Sequence, residues 1–88
     1  MLITADGEHA LQLNKPSREK VILLATGDFK TAVVTAGYLN SSKTFTPFNN
    51  GLIASGEGYE YLTGGIPVII KVTNVAVDSV IDLTASGV

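Results

Sequence analysis

The sequence predicts an all-β fold: a compact two-layer antiparallel β-sandwich, jelly-roll-like or immunoglobulin-like, of about seven or eight short strands, with a small β-barrel as the alternative. Three observations lead there. Val, Ile and Thr supply 25 of the 88 residues, and β-branched side chains suit a pleated surface better than a helix. Nine Gly and three Pro punctuate the chain, so turn signals recur about every 8–12 residues. No segment keeps a 3.6-residue apolar period over ten residues or more. The length bounds the chain to one domain, residues 1–88.

The strands follow in order. Leu2–Thr4 is a short apolar start, and Asp6-Gly7 is a turn signal. His9–Leu13 alternates, with Leu11 and Leu13 on one face; Asp6 capping a short helix is the alternative for this stretch. Lys15-Pro16-Ser17-Arg18 is a loop. Lys20–Thr26 is apolar on both faces and ends at Gly27-Asp28. Thr31–Leu39 is interrupted by Gly37 and followed by the turn Asn40-Ser41-Ser42. Lys43–Phe48 contains Pro47, which cannot donate to a ladder and marks an edge or a strand end.

Asn49-Asn50-Gly51 reads as a further turn before a short strand, Leu52–Ala54. Glu57–Thr63 carries Tyr59 and Tyr61 on one face and Glu60 on the other, and Gly64-Gly65 turns. Ile66–Asn74 is the strongest strand, with Val68, Ile70 and Val72 facing one way. Ser79–Ala85 closes the fold, Ile81 and Leu83 facing in, Asp82 and Thr84 out. The expected core is Val21, Leu23, Val33, Val68, Ile70, Val72, Ile81 and Leu83.

Composition excludes several functions. A net charge of −2 and a pI near 5.1 argue against phosphate-backbone binding, so no nucleic-acid partner is expected. Without Cys there is no disulfide framework, thiol nucleophile or cysteine metal site. The longest apolar runs, Val21–Ala25 and Ile66–Ile70, fall far short of the roughly 20 residues that span a bilayer, and no membrane partner is expected. The opening residues lack the basic and apolar regions of a signal peptide, which predicts an intracellular, Sec-independent origin.

Chemistry-bearing residues are few. His9 is the single imidazole; Asp6, Glu8 and His9 are near in sequence, but on a strand Glu8 and His9 point to opposite faces. Glu57 and Glu60 would stand about 10 Å apart on opposite faces, and Asp78 and Asp82 roughly 13 Å apart, too far for a paired-carboxylate mechanism. Gly56-Glu57-Gly58-Tyr59 lacks the helix that would hold a phosphate, and no Ser sits in Gly-x-Ser-x-Gly. The expectation is a non-enzymatic protein with no catalytic residue, cofactor or metal.

What stands out is apolar surface with nowhere to go. In Lys20–Thr26, Ile22 and Leu24 oppose Val21, Leu23 and Ala25; in Ile66–Asn74, Ile69 opposes Val68 and Ile70. A small two-layer sandwich has a wet outer face, so such residues call for a cover. Ile22, Leu24 and Ile69, with Tyr59 and Tyr61 as aromatic anchors, are the candidate interface for a homo-oligomer or a larger partner.

The run Thr4-Ala5-Asp6-Gly7, the strand Ile22–Gly27 ending in Thr-Gly, Thr31-Ala32-Val33-Val34-Thr35, the polar hairpin reaching Phe48, Gly64-Gly65-Ile66-Pro67 and the closing Val80-Ile81-Asp82-Leu83-Thr84 together resemble the small all-β accessory proteins encoded among bacteriophage structural genes. Asp28-Phe29-Lys30 stands where that pattern commonly has a glycine pair, and the Trp of its middle hairpin is absent. The resemblance spans nearly the whole chain and carries no catalytic motif. It implies a virion component: a head decoration or cement protein, or a small fibre or tail piece. Its partners would be a second copy of itself, as a trimer, and a larger protein such as the major capsid protein. The alternative is a carbohydrate-binding sandwich module stacking a sugar on Tyr59 and Tyr61; a third reading is a piece of a larger adhesin or secreted β-domain.

Overall fold

The computed structural model describes all 88 residues, Met1–Val88. Eight strands form: β1 Leu2–Ile3, β2 Gly7–Ala10, β3 Lys20–Thr26, β4 Val33–Leu39, β5 Phe45–Ile53, β6 Gly58–Leu62, β7 Ile69–Thr73 and β8 Ile81–Gly87. There is no helix, and so none long and apolar enough to cross a membrane. Two separate four-stranded sheets, ordered β1-β8-β3-β6 and β2-β7-β4-β5, make a sandwich rather than a closed barrel.

The pairing explains that order. β4 pairs with β5, β3 with β6, β2 with β7 and β1 with β8, all antiparallel. This is one long ribbon folded back on itself at the β4–β5 hairpin. Rolling the ribbon brings β3 against β8 and β4 against β7, which completes the two sheets. The result is a jelly roll.

Strand alternation builds the core. Val21, Leu23 and Ala25 of β3, Ile70 and Val72 of β7, and Ile81, Leu83 and Ala85 of β8 are fully buried between the layers. Period-two patterning places them there, since successive side chains leave opposite faces of a strand. Val33 is the exception among the expected core residues. It is exposed, and Val34 with Ala36 takes the inner face of β4. Val33 pairs with Thr73, which also faces out, and Val34 with the buried Val72. A Thr-Ala-Val-Val run has apolar residues at both parities, so only the partner strand settles which one faces in.

Asn49-Asn50-Gly51 is not a turn. β5 runs unbroken through it. Thr35 pairs with Leu52 and Gly37 with Pro47, so the four residues Phe48–Gly51 lie opposite the single residue Ala36. This is a large bulge at a sheet edge. Gly51 is required there, because a Cβ would run into the carbonyl oxygen of Ala36. The Asn50 carbonyl accepts a hydrogen bond from the buried Tyr61 hydroxyl at 3.0 Å. Pro47 does sit on an edge strand, β5. Residues 6–14 hold a strand and a loop instead of a helix: the Asp6 carboxylate accepts the backbone N–H groups of Asn74 and Val75 at 3.3 and 2.9 Å.

Candidate interaction surface

The outer face of the β1-β8-β3-β6 sheet is the largest continuous surface that the pattern of β3 creates. Ile22 lies between Ser86 of β8 and Glu60 of β6, and Leu24 between Thr84 and Gly58. Ile22 and Leu24 are two residues apart on the same strand, so their side chains stand side by side on one face. They are 44% and 48% exposed. Ser86, Thr84 and Gly58 are short and leave Leu24 and one side of Ile22 open, while Glu60 stands beside Ile22 on the other side. Leu62 and Leu2, farther out on the same face, are more exposed still.

The rim of this face is polar. Lys20 Nζ lies 2.8 Å from Glu60 Oε1. The Glu60 hydrogen bond, then its charge, raises the Lys20 pKa above the usual ammonium value. At the other end Asp82 receives the Met1 amino group at 3.4 Å. The face is thus aliphatic along β3, with a charged pair directly beside Ile22 and Asp82 at the far end.

Ile69 does not join this patch. It projects from the outer face of the other sheet, about 10 Å of core away, where it pairs with Ala10 and Gly37. It is half-buried. The Phe45 ring lies over Gly37, where a Cβ would stand 2.8 Å from the ring, and Lys71 Nζ sits 5.6 Å from the Phe45 ring centre. One interface cannot use Ile22, Leu24 and Ile69 together.

Tyr59 and Tyr61 face inward and form no exposed aromatic platform. Tyr61 is 2% exposed and stacks on Phe48 with ring centres 4.6 Å apart. Tyr59 is half-buried, parallel to Tyr61 at 6.2 Å, and its hydroxyl accepts the Ala54 N–H at 2.7 Å. Burial pushes the Tyr61 phenol up to about 12. Parity had put the two rings on one face; which face became clear only from β3, whose buried Val21 and Leu23 pair with them. The same parity puts Leu62 outside with Glu60, a signal present in the sequence but masked by the aromatic pair.

Where β5 and β6 leave the sandwich open, Tyr38, Phe48, Leu62, Thr63 and Ile66 line a cleft of about 350 Å³. The lining is apolar except for hydroxyls. The titratable side chains do not converge. His9 Nε2 lies 2.9 Å from the Ala5 carbonyl oxygen, Lys30 bridges Asp28 and Asp78 at 3.1 and 3.7 Å, and Glu57 accepts from Tyr59 at 3.4 Å. The Lys30 backbone N–H, then its side chain, holds the Asp28 carboxyl below its usual range. No three His, Asp or Glu side chains come together as a metal site. Comparison with known protein families, curated proteins and solved structures finds no match.

Proposed function

We propose that this chain is a non-enzymatic structural component of a bacteriophage particle, a decoration protein that binds the capsid surface and self-associates through the outer face of the β1-β8-β3-β6 sheet. The observation that carries the reading is the uncovered pair Ile22 and Leu24 at the centre of a sheet face. Fully burying a large aliphatic side chain is worth about 1.5–3 kcal/mol; with Ile22 and Leu24 44% and 48% exposed, a symmetric copy or a larger shell protein would recover about half of that for each. The resemblance of Thr4-Ala5-Asp6-Gly7 and the later turn and strand residues to phage accessory proteins supplies the setting. The jelly-roll arrangement, which recurs in viral shell proteins, agrees with it by analogy. A cyclic trimer closes such a patch without an open edge.

Light scattering coupled to size exclusion tests the reading. A stable mass of about three times the 9.2 kDa chain is expected, and Leu24→Glu should reduce it to the monomer with the fold intact. A monomer at tens of micromolar that also fails to co-sediment with capsids of its phage overturns the proposal.

A further inference from the structure

The two ends of the sandwich differ in charge and shape. Antiparallel register puts Thr26 beside Asp82 and Val33 beside Thr73, so loops 4–6, 27–32, 54–57 and 74–80 gather at one end. Loops 11–19, 40–44 and 63–68 gather at the other. The first end carries Asp6, Asp28, Glu57 and Asp78 against Lys30, a side-chain charge of −3. The second carries Lys15, Arg18 and Lys43 against Glu19, a side-chain charge of +2. The whole-chain value of −2 conceals this separation.

Each end also has an apolar feature, and the two are complementary in form. At the tip of loop 74–80 on the acidic end, Val77 is fully exposed. The loop beneath it is braced. Asp6 accepts the N–H groups of Asn74 and Val75. Ser79 Oγ accepts from Ala76 N–H at 2.9 Å and donates to the Phe29 carbonyl at 3.0 Å. Val80 N–H reaches the Asp28 carbonyl at 2.7 Å. A projection held this way loses little freedom on docking. At the basic end lies the cleft of Tyr38, Phe48, Leu62 and Ile66, about 350 Å³ and large enough for a valine-tipped loop.

We propose that copies of this chain associate head to tail, the Val77 loop of one seating in the Tyr38–Phe48–Leu62–Ile66 cleft of the next, with the acidic end facing the basic end. The occupant is a second copy because the charge complementarity and the apolar projection are both supplied by this chain. The contact is heterologous, so it propagates as a row or closes as a ring according to the rotation between copies. It uses neither Ile22 nor Leu24, and the one residue it shares with the outer sheet face is Leu62 at the end of β6. The molecule measures 35 × 26 × 19 Å. Its end therefore buries at most about 400 Å² per copy, below the standard interface size. The contact is accordingly weak and salt-sensitive, because screening sets in over about 10 Å at 0.1 M salt.

The experiment is sedimentation velocity with light scattering in a Leu24→Glu background, which removes sheet-face association. At near-millimolar protein and 20 mM NaCl the average mass should reach at least twice the monomer, and 0.5 M NaCl should return it to the monomer. Val77→Asp and Leu62→Asp both alter exposed side chains, and each should abolish the growth, with circular dichroism confirming an unchanged fold. Mixed together, the two variants retain one good projection and one good cleft, and should form a 1:1 complex of twice the monomer mass that grows no further. A mass independent of salt and concentration, variants that associate like the parent, or a mixture that stays monomeric each overturns the proposal. Failure of the sheet-face reading has a different signature: wild type and Leu24→Glu then share one mass at 0.5 M NaCl.

Discussion

β3 and β7 carry the same kind of sequence, aliphatic on both faces, and the fold treats their outward residues differently. On β7, Ile69 is half-buried; it pairs with Gly37, over which the Phe45 ring lies, with Lys71 Nζ 5.6 Å from the ring centre. On β3, Ile22 and Leu24 have Ser86, Thr84, Gly58 and Glu60 beside them and are 44% and 48% exposed. Of the two two-faced strands, β7 keeps its outward isoleucine half-buried and β3 leaves two aliphatic side chains exposed. Outward apolar residues are therefore not in themselves evidence of an interface.

The largest expected effect lies beneath both faces and calibrates the rest. Ile70 is fully buried under the covered strand, and Ile70→Ala should cost about 2–5 kcal/mol in urea unfolding. A loss below roughly 1 kcal/mol would mean that β7 is not packed as described.

The core between the two faces also holds Tyr61, whose raised pKa has a definite sign. An unfolded tyrosine ionises near pH 10, and in the fold the phenol stays neutral to about 12. Above pH 10 the unfolded state therefore binds fewer protons, and stability falls as pH rises. The expected loss is about 2–3 kcal/mol between pH 10 and 12. A Tyr61→Phe variant, which also gives up the hydrogen bond to Asn50, should show a flatter melting curve over that window. Equal slopes for the two proteins would place the titration elsewhere.

Glutamate substitutions break the comparison directly. Ile69→Glu places a charge at a half-buried position beside Ala10 and Gly37 and should cost about 1–3 kcal/mol. Leu24→Glu should change the monomer's stability by no more than about 0.5 kcal/mol while changing its oligomeric state. Equal costs at the two positions would show that both faces are covered, or neither. Phe45→Ala is expected to cost about 1 kcal/mol or less; its readout is increased binding of a hydrophobic dye to the outer face of the β2-β7-β4-β5 sheet.

Much of the fold was legible from alternation. The inward sets of β3, β7 and β8 follow from period two alone, as does the outward pair Ile22 and Leu24. Two misreadings share one cause. Val33 was expected inside and Asn49-Asn50-Gly51 was expected to turn, and in both cases the pairing of β4 decided the outcome, through Thr73 and Ala36. For the candidate site, sequence parity identified Ile22 and Leu24 but could not separate them from Ile69 or expel Tyr61, because parity says that residues differ in face without saying which layer lies behind.

By itself, then, the sequence determined the all-β class and the alternation along β3, β7 and β8. These depend on side-chain type and spacings of two residues, which the backbone imposes locally. Tertiary structure alone decided the jelly-roll order, the bulge in β5, the partial burial of Ile69 and the separation of charge between the two ends. Each of those depends on pairs far apart in the chain: Ile22 beside Ser86, Gly37 beside Ile69, Asp6 beneath Asn74. No local pattern encodes such a neighbour, because its identity is set by the register of a strand that arrives many residues later.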